Sequence, residues 1–569
     1  MNGIALLPKG KAVQKWLIAL VVLGLSVSVL LPLAQLFAKA FYDKTGQFVG
    51  LDNFFAYFST PALAQSLHNT LYISALTTLI AVTLAFLFAY ALTRSGIRGK
   101  GFYRAVALLP LFAPTMMHGI ALTYLFGNQG LITTGFFGLL PFQWDVELYG
   151  PVGIILAEVV YVFPQAYLIL AVSLAFADYQ LYEAADTLGA GHLRKLWTVT
   201  IPGVKYGIAS ACFVSFTLSF TDFGAPKVVG GQFSVLATDV YKQVIGQQNM
   251  TMGATVGLLL IIPALVAFVV DRIVERKQHA AVTAKSKGYQ IKQNRLRDLF
   301  YTLVCLAVSG FLLLLMATVA FASFVKVWPY NLSLGFWHYD FSNVAGEGIA
   351  PLWNSMLVAA LTAVIGTCVT FLSAYVMEKA KVWRGLRQVG YFLSILPLAL
   401  PGLVIGLAYI FFFNNPANPL HGLYGTIWIL VLANVVHFFA VGFITATTAL
   451  KKLDPEFEQA AESMGISQAK LFWRVTVPVC LPAIIEMAVY FFINAMVTIS
   501  AVVFLYAADF KLAAVSIVNM DDAGDIAPAA AMSVIIVVLN IIARAGAEWM
   551  SARLRKRAAG AGQKKGQVA

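Results

Sequence analysis

The sequence predicts an all-α polytopic membrane protein, with twelve transmembrane helices arranged as two parallel six-helix repeats. Three observations carry this. Charged residues make up only 11% of the 569 and hydrophobic residues 60%, whereas a soluble domain carries about a quarter charged residues. Twelve apolar runs are each long enough to cross a bilayer. The motifs of the first half recur, in the same order, in the second.

A hydrocarbon core takes about 20 apolar residues as helix. Runs of that length lie near 16–38, 69–92, 104–126, 151–177, 204–226 and 251–271, then near 299–322, 354–377, 389–413, 423–447, 479–506 and 526–548. The first run is longer than the apolar region of a signal peptide and has no small-residue cleavage site behind it. It reads as an uncleaved first helix. Cys212, Cys305, Cys368 and Cys480 stand in or beside apolar runs without paired spacing. They suit small core residues and suggest neither a metal nor a disulfide framework.

Orientation follows from the basic residues. With the N-terminus in the cytoplasm, 33 of the 39 Lys and Arg residues fall inside. The six outside are Lys39, Lys44, Lys227, Lys242, Lys326 and Lys511. This asymmetry predicts that both termini are cytoplasmic. It also accounts for the net charge of +13 without a nucleic-acid partner. The polar stretch 272–298 holds Arg272, Arg276, Lys277, Lys285, Lys287, Lys292, Arg295 and Arg297. It reads as a solvated linker beside anionic membrane lipid.

Internal repeats come next. LHNTLY around Asn69 matches LWNSML around Asn354 at an offset of 285. LLPLFAPTMMHGIAL, with Pro110, Pro114 and Gly119, matches ILPLALPGLVIGLAY, with Pro397, Pro401 and Gly406, at 287. EAADTLGAGHLRKLWTVTIP matches QAAESMGISQAKLFWRVTVP at 276. The offset drops because the first half has a longer outer loop near 127–150, and a surface insertion costs little. An even number of helices per half makes the halves parallel, so a translocation path is expected between them. The predicted organisation is an N-terminal helix and outer loop (1–64), a first transporter domain (65–271), the basic linker (272–298), a seventh helix and outer loop (299–349), a second transporter domain (350–547) and a basic tail (548–569).

The third repeat lies between the fourth and fifth spans of each half. It runs Glu183, Ala184, Ala185, Gly189, Pro202 in one copy and Gln459, Ala460, Ala461, Gly465, Pro478 in the other. Glu and Ala favour helix, and each Gly supplies a positive-φ turn that ends it. A second short helix is expected, with Leu193, Leu196 and Trp197, or Ala469, Phe472 and Trp473, at apolar spacing. Pro202 and Pro478 are expected in the first turn of the following span, where a missing N–H costs little. Duplicate surfaces on one side of the membrane suggest a duplicate partner.

This spacing resembles the EAA motif of permeases in the type I, binding-protein-dependent ABC importer family. The resemblance covers about 65–270 and 350–547. It implies that each segment is a coupling helix docking on one of two cytoplasmic ATPase subunits, and that a periplasmic solute-binding protein delivers the solute. In the second copy Gln459 stands where the family has Glu, with Glu458 one place earlier. The chain has no P-loop: Gly10-Lys11 and Gly99-Lys100 are not followed by Ser or Thr. The chain is thus expected to be no enzyme and to hold no cofactor of its own, with ATP and Mg bound by the partner ATPase. A twelve-helix secondary transporter shares the gross topology, but has no reason to duplicate a helix–Gly–helix there.

Polar residues inside apolar helices are functional candidates. Glu158 and Asn434 are repeat partners, as are Tyr161 and His437; Asp222 is matched by Thr498. Glu158, Asn434, His437 and Asp222 are the candidates for lining the translocation cavity, against the alternative of hydrogen bonds that fix packing. His118, Glu486 and Asn494 also fall within runs. The segments Thr221–Gly231 and Leu236–Val244 look most like those of 2-aminoethylphosphonate permeases, which makes that solute the first expectation and ferric iron the alternative.

Overall fold

Lipid offers no hydrogen-bond partners, so each apolar run closes its own backbone bonds and folds as helix. A computed structural model describes residues 9–139, 141, 143–175, 179–281, 289–291, 294–342, 344, 348–454 and 456–566. The helices relevant to function in the first half are α1 (Ala12–Ala40), α2 (Pro61–Arg94), α3 (Lys100–Phe112), α4 (Thr115–Phe126), α5 (Pro151–Ala175), α6 (Tyr179–Thr187), α7 (His192–Thr221), α8 (Gly224–Val229), α9 (Leu236–Tyr241) and α10 (Met250–Ala281). The second half follows with α11 (Arg295–Phe324), α12 (Ala350–Lys379), α13 (Arg384–Ala399), α14 (Gly402–Phe413), α15 (Ile427–Lys451), α16 (Glu456–Ser463), α17 (Gln468–Val497), α18 (Ala513–Ala523) and α19 (Ile526–Gly566). A small antiparallel hairpin, Val325–Val327 with Asn331–Leu334, interrupts the all-α pattern after α11.

Among the described residues, ten helices are long and apolar enough to span on their own, and two further apolar helix pairs are bent. This corrects the expectation of a single helix over 104–126 and over 389–413. The axes of α3 and α4 turn by 105°, and those of α13 and α14 by 115°. The duplicated prolines are the cause. A residue before proline is driven out of the helical region. Ala113 accordingly has φ −105° and ψ 142°, and Leu400 φ −102° and ψ 122°.

The two ends of each bent pair lie against opposite ends of one long helix. Near the start of α3, the Gly96 N–H donates to Asp298 Oδ1 at 3.0 Å, in the first turn of α11. Near the end of α4, the Tyr124 ring lies 5.0 Å from that of Trp328, just past the other end of α11. Trp328 Nε1 also donates to the Gln129 carbonyl at 2.8 Å. The 30 residues of α11 span roughly 45 Å as helix. Likewise Lys15 lies over the Trp383 ring at the start of α13. Farther along α1, Leu31 and Gln35 share a cavity with Phe411 and Phe412 at the end of α14.

The chain packs as two units. One comprises Met1–Lys39, Ile349–Ser516 and Ile535–Ala569; the other Ala40–Gly348 and Ile517–Val534. In the first unit, α1 packs on α12 and α13 of the second half. In the other, α11 packs on α2, α3 and α4 of the first half. The leading helix of each half thus sits with helices of the other half.

The basic stretch is partly helical: α10 continues through Ala281, and α11 begins at Arg295. Residues 282–288 and 292–293, with Lys285, Lys287 and Lys292, lie outside the described residues.

Candidate functional site: the duplicated helix–glycine–helix

Helix α6 ends at a glycine with φ +67°, Gly189, and α16 at one with φ +64°, Gly465. Beyond each turn a backbone N–H returns to the second alanine of the motif: Ala190 to the Ala185 carbonyl and Ile466 to the Ala461 carbonyl, both at 2.9 Å. This six-to-one bond is the Schellman closure, which needs a left-handed residue at the turn. Ala185 and Ala461 are buried, whereas Glu183, Ala184, Gln459 and Ala460 are exposed. The two copies therefore present the same residues outward and inward. Glu458 stands in the register of Tyr182; its carboxylate pairs with Lys379 at 2.6 Å. The register of Glu183 belongs to Gln459.

Pro202 and Pro478 stand in the first turn of the α-helical runs Ile201–Thr221 and Val477–Val497, as expected, but neither run is where its helix starts. The helix bearing Pro202 begins at His192 and the one bearing Pro478 at Gln468, so both prolines lie inside continuous helices. Each follows a π turn, Leu196–Thr200 and Phe472–Thr476. There the Ile201 N–H reaches the Leu196 carbonyl, and the Val477 N–H the Phe472 carbonyl. Widening the turn accommodates a residue that has no N–H and crowds the preceding turn.

Large apolar side chains stand exposed around both turns. Leu188 is 83% exposed and Trp197 68%; their repeat partners Met464 and Trp473 are 68% and 69% exposed. Leu193, Leu181 and Phe457 are exposed as well. Apolar patches of this kind mark interaction surfaces. Beneath them the packing is fixed: Tyr182 donates from its hydroxyl to Thr200 Oγ1 at 2.9 Å, and Lys195 pairs with Asp186.

Of the membrane-depth candidates, Glu158, Asn434 and His118 are buried within their units, whereas Asp222 and His437 are half-buried. Glu158 is 1% exposed; its Oε2 accepts from the Ser219 hydroxyl and, at 3.4 Å, from Thr77. Asp222 accepts from the Ala225 N–H at 2.9 Å and so caps α8. Asn434 is buried and donates to the Leu430 carbonyl one turn back, while its Oδ1 has no hydrogen bond among the described residues. His437 is half-buried, with its ring 4.5 Å from that of Phe438. His118 is buried, its ring 6.5 Å from that of Tyr161.

The repeated Asn69 and Asn354 acquire a role in the structure. Asn69 Nδ2 donates to the Ser234 carbonyl at 2.9 Å, and Thr70 Oγ1 accepts from the Leu236 N–H, at the start of α9, at 2.9 Å. Asn354 Nδ2 donates to the Asp509 and Lys511 carbonyls at 3.1 Å, and Ser355 Oγ accepts from the Ala513 N–H, at the start of α18, at 2.8 Å. In each copy the hydroxyl satisfies one orphan N–H of a short helix, and the amide donates to carbonyls of the chain leading into it. The shared Asn-Thr/Ser signal was the clue to it. The paired glycines of the bent spans also find a reason. A Cβ at Gly119 would lie 2.8 Å from that of Val228 in α8, and one at Gly406 3.0 Å from the Ala501 carbonyl oxygen.

Known proteins bear on this geometry. Over 524 residues the chain is 28% identical to the ferric transport system permease protein FbpB of Actinobacillus pleuropneumoniae, covering 90% of this chain and 74% of that protein. It is 29% identical over 253 residues to the putative 2-aminoethylphosphonate transport system permease protein PhnV of Salmonella paratyphi A, covering 43% and 91%. It is 31% identical over 253 residues to the sn-glycerol-3-phosphate transport system permease protein UgpA of Agrobacterium fabrum, covering 42% and 84%. The family model described as a binding-protein-dependent transport system inner membrane component matches twice, at residues 81–280 and 381–556. Both matches contain a helix–Gly–helix segment, so the duplication is one of whole family domains, and the chain belongs to the family of inner membrane components of binding-protein-dependent transport systems.

Proposed function

We propose that this chain is the permease of an ATP-driven importer and that its solute is ferric iron. Two separate cytoplasmic ATPase subunits bind ATP and Mg and grip the segments around Gly189 and Gly465. A periplasmic binding protein delivers the solute, and both termini lie in the cytoplasm. The observation that carries this reading is the matched pair of exposed apolar crowns, Leu188 with Trp197 and Met464 with Trp473, on segments of one geometry. Nucleotide closure of the ATPase pair pulls the two segments together, and the continuous helices that follow them carry the motion into the membrane.

The ferric solute rests on a relative that aligns through both halves. The phosphonate reading is the second: it rests on a relative that spans one half and on the segment Thr221–Gly231. Glu158, Asp222, Asn434 and His437 are proposed to meet the solute when the path opens, passing an ion already selected by the binding protein. Labelled uptake in a strain lacking this chain tests the choice. Loss of ferric iron uptake alone, restored by the wild-type chain, is the expected result. Loss of 2-aminoethylphosphonate uptake alone would keep the permease and replace the solute.

A further inference from the structure

The segments that carry the two exposed crowns are anchored by one repeat-related contact made with different chemistry. Arg94 and Lys379 are the last residues of α2 and α12 and are repeat partners at an offset of 285. Tyr182 and Glu458, on α6 and α16, are partners at 276. Each basic residue reaches its partner. The Arg94 guanidinium lies 5.4 Å from the Tyr182 ring centroid, and Lys379 Nζ lies 2.6 Å from Glu458 Oε1.

A third residue joins the first contact. Tyr289, from the stretch between α10 and α11, lies 4.1 Å from the Arg94 guanidinium. Its ring stands edge-on to Tyr179 at 5.3 Å and to Tyr182 at 5.1 Å. Both tyrosines belong to α6, so the connection between the halves reaches into the docking segment of the first. Arg94 is 2% exposed and also donates to the Leu174 carbonyl at 2.5 Å. A desolvated cation on aromatic faces is little affected by salt. The Lys379 and Glu458 side chains keep 16% and 32% of their surface, and an ion pair with such access is screened.

We propose that Tyr289 and Arg94 position the first ATPase-docking segment by ring stacking, whereas the Lys379–Glu458 ion pair positions the second, so that the two segments are held by different chemistry and unequally. The inter-half connection is thereby a positioning element for one docking site. This rests on the reading of both segments as docking sites.

Hydrogen exchange of the full chain in nanodiscs tests the holding itself, with no ATPase present. Between 0.05 and 0.5 M NaCl, amides of Glu456–Ser463 should exchange about two- to threefold faster. Tyr289→Leu should speed exchange in Tyr179–Thr187 by about tenfold and leave Glu456–Ser463 alone. Tyr289→Phe, which keeps the ring, should behave as wild type. Lys379→Met should speed exchange in Glu456–Ser463 and abolish its salt response. Equal exchange in Tyr289→Leu and wild type, or a Tyr289→Phe as fast as Tyr289→Leu, would overturn the proposal. The complex isolated through a tag on this chain then reports ATP hydrolysed per solute imported. If exchange responds as expected while that ratio stays at the wild-type value in every variant, the docking reading falls and the anchoring contacts stand.

Discussion

Replacing the turn glycines separates conformation from packing, because a Cβ added at Gly189 or Gly465 meets nothing within 4 Å. The whole effect then comes from φ, which is +67° and +64°. An L-residue other than Gly or Asn is disfavoured in this left-handed region by roughly 1–2 kcal/mol. Alanine therefore lowers the population of the turned segment by a factor of about 5–30. Asparagine visits this region more readily and costs less. Proline, fixed near φ −65°, cannot form the turn at all. Solute-stimulated ATP hydrolysis of the isolated complex, normalised to the amount of chain in the membrane, should fall in the order Gly, Asn, Ala, Pro at either position. Membrane insertion should be unaffected, since both turns lie outside the spans. A Gly189→Pro and Gly465→Pro double variant with normal coupling, or an asparagine variant below the alanine one, would refute the reasoning.

Two further outcomes follow from polar groups away from those turns. Thr70→Val and Ser355→Ala each strip the acceptor from a buried N–H at the start of a short helix, a loss of about 1–3 kcal/mol; thermal unfolding in detergent should shift down by several degrees for each, and by the sum for both. The Asp521 carboxyl is pushed up to about 6, chiefly by burial and then by the charge of Asp522, with Lys227 opposing. Because its folded pKa lies above the unfolded value of about 3.9, its stabilising share is complete below pH 4 and disappears as pH rises through 6. The melting temperature should therefore fall between about pH 4 and pH 6. Asp521→Asn should shrink that fall, leaving the part due to Asp239, which burial also pushes up to about 6.

How much of this was legible depended on the kind of force. The helices could be read because a bilayer demands about 20 apolar residues per crossing, and the helix–Gly–helix could be read because a positive-φ turn demands glycine. The bends at Ala113 and Leu400 were half-written: the prolines were visible as a repeat, but a proline marks where a helix breaks and not the angle at which the chain resumes. The π turns before Pro202 and Pro478 left no separate mark, since the same proline suits a first turn equally well. The placement of α1 among second-half helices was hidden, because lipid-facing and helix-facing residues are both apolar and carry no partner code. Glu158 showed its burial in the sequence but not its partners, Ser219 and Thr77, which come from two other helices.

The exposed crowns carry the central claim, and the most direct measurement is solute-stimulated ATP hydrolysis by the tagged complex bearing Leu188→Glu and Met464→Glu together. Both side chains project from turns at the surface, so folding and membrane level should match wild type. Loss of stimulated hydrolysis at an unchanged amount of chain is the predicted result. Full stimulation would mean that no ATPase grips these segments.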